Sequence, residues 1–294
     1  MNKDFKLGAL IIGAGRSGTT SLFEYLSQHP DINNSRIKEV HFFSFDDLYA
    51  KGVDYLSSFF KHNTGLSLCA DTYAMMDDKA PERVAGFDSD IKIIVMLREP
   101  GVRAFSNFRY ARNFGYEDQE SDFMKALLDE PHRLKDNDII QRNNRCHLYG
   151  SLYAYHLKRW VKAIGKEQIF IGTLENLIRD PQQLLSGLFA FLSLPDYEIK
   201  LVGKKNASAK ARSVMLEHTL LNRNTRFRKI LRKSLPSFLK KAIIHSGIVD
   251  SVHRLNRKES LGEKLPKDCR KYLDDYFRQD LEMLDKEYNI RFNE

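Results

Sequence analysis

Cysteine is scarce in this chain: three in 294 residues, Cys69, Cys146 and Cys269, far apart and without His or Cys neighbours at metal-ligand spacing. That excludes a disulfide framework and a zinc site, and it favours a reducing cytoplasm. Long hydrophobic runs are also missing. No apolar stretch approaches the length of a bilayer span, and MNKDFK leads straight into an apparent core strand, so neither a signal peptide nor a transmembrane anchor is expected. Internal repeats and low-complexity tracts are absent as well. A subtler omission lies in GAGRSGTT, residues 13–20. Gly13 and Gly18 stand as in the nucleotide-binding pattern G-x-x-x-x-G-K-[ST], but Thr19 occupies the lysine position.

Of the residues present, 42% are hydrophobic and 29% charged, enough for a large core and a length that suits one elaborated α/β domain spanning 1–294. The net charge of +8 is regional. Sixteen Lys and Arg face four acids between Lys204 and Lys264, so the remainder is net negative. This stretch reads as a basic helical excursion at about 204–264.

LGALIIG (7–13) and IKIIVML (91–97) are apolar runs of the kind found in parallel sheets covered on both faces, and QIFIGTLE (168–175) and SLCADTY (67–73) are further strands. Helical spacing follows in SLFEYLSQH (21–29), VRAFSNFRYARNF (102–114), LYGSLYAYHLKRWVKAIG (148–165), the segment capped by Asp180-Pro181, and a closing amphipathic helix from Tyr272 to Tyr288. Strands alternating with helices predict an α/β fold of P-loop type: three layers, with a central parallel sheet flanked by helices.

The loop between first strand and first helix lets backbone N–H groups converge on an anion at a helix N-terminus, with Thr19 and Thr20 as hydroxyl donors. An ordinary glycine-rich turn is the alternative. Without a lysine after Gly18, but with Arg16 two residues before it, the arrangement suits a donor carrying few charges and needing no metal. At this point the sequence resembles the sulfotransferases that use 3′-phosphoadenosine 5′-phosphosulfate (PAPS), especially their bacterial and heparan-type carbohydrate branch. The 5′-phosphosulfate loop of that family is similar to Arg16-Ser17-Gly18-Thr19-Thr20-Ser21-Leu22, with Gly15 before it. The resemblance puts Arg16 where many members carry a catalytic lysine. A guanidinium stays charged and donates no proton at ordinary pH, so its expected role is electrostatic.

IKEVHFFS (37–44) resembles the family's K-E-x-x-[FY]-F segment, whose glutamate is the general base; this implies Glu39 as the base here. His41 either orients Glu39, contacts the acceptor or takes the proton itself, and Lys38 either lines the pocket or faces solvent. LREPGVRAFSNF (97–108) resembles the R-x-P-x-x-R-[AV]-x-S-x-[YF] segment that binds the 3′-phosphate, which implies Arg98 and Ser106 as donors, provided the chain folds back before the helix begins. Arg103 reads as structural. Residues 206–213 resemble a basic loop near the donor, implying secondary contacts from Lys210 and Arg212. Two departures stand out. Ala70-Asp71-Thr72-Tyr73 replaces the heparan-type E-K-T-P-x-Y segment, and the cysteine-bridged loop of the Golgi branch is missing.

These features predict a metal-free, in-line transfer of a sulfuryl group from PAPS to a hydroxyl, on a saccharide or glycolipid acceptor. The basic stretch 222–258, interleaved with Ile, Leu and Phe, reads as a solvated excursion, as peripheral membrane or anionic-acceptor contact, or as a nucleic-acid site, the last disfavoured by its apolar content. A P-loop kinase or NTPase with an atypical loop and a non-catalytic basic adaptor remain the rival readings.

Overall fold

The structure, a computed structural model, describes residues 5–61, 64–201, 209–211, 257–259 and 263–292. The chain divides into two compact units, one of residues 1–103, 149–202 and 273–294, the other of 104–148 and 203–272.

The first unit is built on five parallel strands: β1 (Ala9–Gly13), β2 (Ile32–Glu39), β3 (Leu66–Ala70), β4 (Lys92–Leu97) and β5 (Ile169–Thr173), in the order β2-β3-β1-β4-β5. The central strands are largely apolar because each has two faces to bury. On one face Leu10, Ile12, Cys69, Ile93, Val95 and Leu97 pack with Val84, Tyr153, Leu157 and Trp160. On the other Ala9, Ile11, Leu68, Ile94 and Met96 pack with Leu22, Leu26, Leu185, Leu188 and Phe189. Each buried Leu, Ile, Val, Phe or Met among them contributes about 1.5–3 kcal/mol, so this double-sided packing fixes the register of β1 and β4. The three cysteines are buried as free thiols.

β2 is a strand that hydrophobic periodicity does not reveal. INNSRIKE is polar, and it lies at the sheet edge with only Ile32 and Ser35 buried. It is held by pairing to β3, with Glu39 opposite Ala70 after a register shift. The predicted helix over 148–165 also differs: Tyr149–Ser151 forms a 3-10 turn and the α-helix runs Tyr153–Ile164. The reason is the Arg103 guanidinium, which packs under Gly150, where a Cβ would come within 2.6 Å of Nη1, and donates from that nitrogen to Ser151 Oγ at 2.9 Å.

The Tyr153–Ile164 helix is capped from a distance. Asp280, on the closing helix Lys267–Tyr288, accepts from the N–H groups of Ala154 (3.1 Å) and Tyr155 (3.0 Å). Asp280→Ala therefore removes the cap, and a loss of about 1 kcal/mol is expected in urea unfolding. Among the described residues no helix is long and apolar enough to cross a membrane.

In the second unit, Phe105, Phe108, Phe123 and His147 form an aromatic cluster. Beside it Glu117 accepts from Arg133 and from His147 Nε2 at 3.4 Å. Ala209–Ala211 and Arg257–Glu259 pair as two short antiparallel strands. These parts of the predicted helical excursion are extended; apart from residues 263 and 264, the rest of it lies outside the described residues.

Candidate functional site

In a parallel sheet the carboxyl ends of the strands are where loops can gather around a ligand. Here β1 ends at Gly13 and the chain turns through Ala14–Gly18 into the helix Thr19–Leu26. Ala14 N donates to Met96 O of β4 at 2.7 Å, which pins the loop between its neighbours. Gly18, the cap of that helix, has φ +84°, and a Cβ there would come within 2.7 Å of Leu174 Cδ1, so a side chain at this position is strained and glycine is favoured. Arg16 also adopts a left-handed conformation, φ 74°, an uncommon cost for a residue with a Cβ that concentrates at ligand-gripping loops.

The loop is fastened from beneath. Arg103 Nε donates to Gly15 O at 3.0 Å. Tyr153, fully buried, donates its hydroxyl to Arg98 O at 2.8 Å, and burial raises its phenol above the ordinary range. Ser17 Oγ lies buried against this phenol without a partner at good hydrogen-bond geometry. At the end of β4, Arg98 reaches the loop, with Nη1 3.5 Å from Arg16 O. Gly15, Arg16 and Gly18 are half-buried, Thr19 is buried, and Thr20 and Ser21 are exposed on the first turn of the helix.

Glu39 closes β2 on the same edge of the sheet. Its Oε2 accepts from Thr72 N (2.9 Å) and Thr72 Oγ1 (3.1 Å), and its Oε1 pairs with Lys38 Nζ. Burial alone pushes this carboxyl up, but the Lys38 ammonium, His41 and the hydrogen bonds bring it down from 4.5 to about 2. The side chain keeps 30% of its surface, so it remains open to a ligand. A carboxylate whose pKa falls on folding stabilises the fold above its unfolded value and loses that contribution as pH drops through the folded one. The stability difference between the wild type and Glu39→Gln is thus expected to be full above about pH 4.5 and to vanish toward about pH 2, read as unfolding free energy across a pH series.

His41, with φ 54°, turns the chain away from β2. Its ring lies 4.6 Å from Tyr73 and 5.3 Å from Phe45, centroid to centroid, forming a half-exposed aromatic wall next to Glu39. Its Nδ1 is 3.1 Å from Asp71 Oδ1. Asp71 is 1% exposed and also accepts from Phe43 N, Ser44 N and Ser44 Oγ.

The structure therefore brings Gly15–Ser21, Arg98, Glu39 and His41 to one sheet edge in the first unit. Ser106 does not follow the expected path. Pro100 and the Glu99 carboxylate, which accepts from Gly101 N and Val102 N, start the helix Pro100–Asn113 at once, so the connection does not fold back before the helix and Ser106 lies in its second turn. Lys210 sits on a short strand, in register with Lys258, rather than on a loop; Arg212 lies outside the described residues. Sequence reasoning passed over Asp71 and Thr72, which hold His41 and Glu39; the only trace of them was their departure from a familiar segment. Among the described residues no group of three or more His, Cys, Asp or Glu forms a metal site.

The family described as "Sulfotransferase domain" matches residues 8–282. The chain belongs to that family. The sulfotransferase domain is 30% identical over 191 residues to mouse heparan sulfate glucosamine 3-O-sulfotransferase 5, covering 64% of this chain and 53% of that protein. It is 26% identical over 198 residues to the bifunctional heparan sulfate N-deacetylase/N-sulfotransferase 1 of Caenorhabditis briggsae, covering 64% of this chain and 23% of that one. The match thus spans from about a quarter to about half of these curated relatives. A sulfotransferase from Alicyclobacillus acidocaldarius has the same fold, with a TM-score of 0.67 at 21% identity, covering 98% of this chain and 97% of the other. This likeness supports the predicted fold class: a parallel sheet flanked by helices.

Proposed function

We propose that the sulfotransferase domain moves a sulfuryl group from PAPS to a hydroxyl of a carbohydrate acceptor, with Glu39 as the general base. The observation that carries this reading is the gathering, on one sheet edge, of an anion-accepting loop backed by Arg98 and a carboxylate held ionised by Lys38 and Thr72. The loop amides, Arg16 and Thr19 grip the phosphosulfate, and Arg98 serves the nucleotide's second phosphate. Arg16 meets the charge that develops on the bridging oxygen as the S–O bond breaks. The sulfonate is a single anion, so these donors balance its charge without a metal ion.

At about 2, the Glu39 pKa makes a feeble base. A sulfonate arriving near Lys38 competes for the ammonium, and a Glu39 freed of that partner regains basicity as the acceptor hydroxyl approaches. The aromatic wall of His41, Phe45 and Tyr73 offers a flat apolar surface for the carbon face of a sugar ring. Heparan sulfate is the acceptor named for the relatives, which makes it the first to try here.

The test pairs two measurements. Calorimetry with adenosine 3′,5′-bisphosphate reads the donor site, and label transfer from ³⁵S-PAPS to heparan sulfate, neutral glycans and glycolipids reads turnover. Heat from the bisphosphate and labelled glycan are expected. Heat only from ATP with magnesium returns the kinase or NTPase reading.

A further inference from the structure

The imidazole of His41 touches the buried carboxylate of Asp71. Asp71 follows β3 directly, and its N–H donates to Ile11 O of β1, so its position is set by the sheet itself. Burial to 1% exposure leaves no room for solvent to satisfy its oxygens, and all the hydrogen bonds found come from protein: Phe43 N at 3.1 Å and Ser44 N at 3.0 Å to Oδ2, Ser44 Oγ at 2.6 Å and His41 Nδ1 at 3.1 Å to Oδ1. A carboxylate is an acceptor only, so His41 Nδ1 must carry the hydrogen. The left-handed backbone at His41 and the flanking Tyr73 and Phe45 rings then leave the imidazole little freedom to turn.

We propose that Asp71 is a positioning residue: it locks His41 as the Nδ1–H tautomer, so that Nε2 presents a lone pair beside Glu39 and accepts a hydrogen bond from the acceptor hydroxyl. This role rests on the sulfuryl-transfer reading, but the tautomer does not. The acceptor oxygen is thereby oriented by two acceptors, His41 Nε2 and the Glu39 carboxylate. It can donate its single hydrogen to only one of them at a time, Glu39 taking the proton as the new O–S bond forms. The opposite tautomer would aim an N–H donor at the same oxygen, engaging one of its two lone pairs and lowering its nucleophilicity.

Asp71→Asn isolates the effect because it preserves shape. With the amide nitrogen at the Oδ1 position, the oxygen still accepts from Phe43 N and Ser44 N, while the nitrogen donates to Ser44 Oγ and to His41 Nδ1. The direction of the His41 bond reverses and forces Nε2–H. Proteins labelled with ¹⁵N-histidine are compared by long-range ¹H–¹⁵N correlation with the imidazole neutral, the His41 signals being those lost in His41→Gln. The wild type is expected to show a protonated Nδ1 and a bare Nε2, and Asp71→Asn the reverse. Turnover of ³⁵S-PAPS with heparan sulfate should fall about 10- to 100-fold in kcat, with affinity for adenosine 3′,5′-bisphosphate unchanged.

A wild type with Nε2–H, or a variant whose tautomer stays the same, overturns the lock, and the wild-type spectrum decides this even if the variant fails to fold. A reversed tautomer with undiminished kcat overturns the catalytic consequence. Absence of wild-type turnover on every acceptor counts against sulfuryl transfer, while the spectrum still judges Asp71.

Discussion

Glu39→Gln is expected to lower sulfuryl transfer by about 10²- to 10⁴-fold, the range that a positioned general base supplies, while the affinity for adenosine 3′,5′-bisphosphate stays the same. The amide retains the shape of the carboxylate and can still accept from Thr72 N and Thr72 Oγ1, so the end of β2 keeps its place. What it loses is the capacity to take a proton and the charge that pairs with Lys38. Single-turnover kinetics with ³⁵S-PAPS separate the two effects. If the variant turns over at the wild-type rate, Glu39 is not the base. The pH profile adds a second check. With its carboxyl at about 2, Glu39 is already ionised across the working range, so no acid limb near the usual glutamate value should appear in kcat/KM.

The second large effect belongs to Arg98. Arg98→Ala is expected to weaken adenosine 3′,5′-bisphosphate binding by about 10- to 150-fold, as for the loss of a charge-assisted hydrogen bond worth about 1.5–3 kcal/mol. Calorimetry reads it directly. Arg98→Lys keeps the charge without the planar fork and should recover only part of the loss. Tyr153 binds the Arg98 main-chain carbonyl rather than its side chain, so the truncation leaves that anchor in place. Unchanged affinity in Arg98→Ala would move the nucleotide elsewhere.

Both sites were legible in the sequence to the degree that local chemistry determines them. IKIIVML announces a strand buried on both faces because every residue after Lys92 is buried. The glycines at 13 and 18 announce a loop because both adopt positive φ. Glu39 was placed through its segment's resemblance, but its strand was not: a polar edge strand draws its stability from the ladder with β3 rather than from alternating burial. Asp71 was legible only as a residue out of keeping with the family. Its four donors come from residues 27 to 30 positions away, and no spacing rule encodes such a meeting. The start of the helix that carries Ser106 was not legible either: Glu99 accepts from Gly101 N and Val102 N and begins it directly after Arg98, where a fold-back was expected.

The Ala14–Gly18 loop and its neighbour Arg98 are tied down by Arg103 and Tyr153, whereas Glu39 and His41 hang from Thr72 and Asp71. Separate anchors make the two halves of the candidate site independent in engineering terms. If the proposed reading holds, residues 45 and 73 are the ones to diversify to retarget the alcohol while the coenzyme grip is inherited intact.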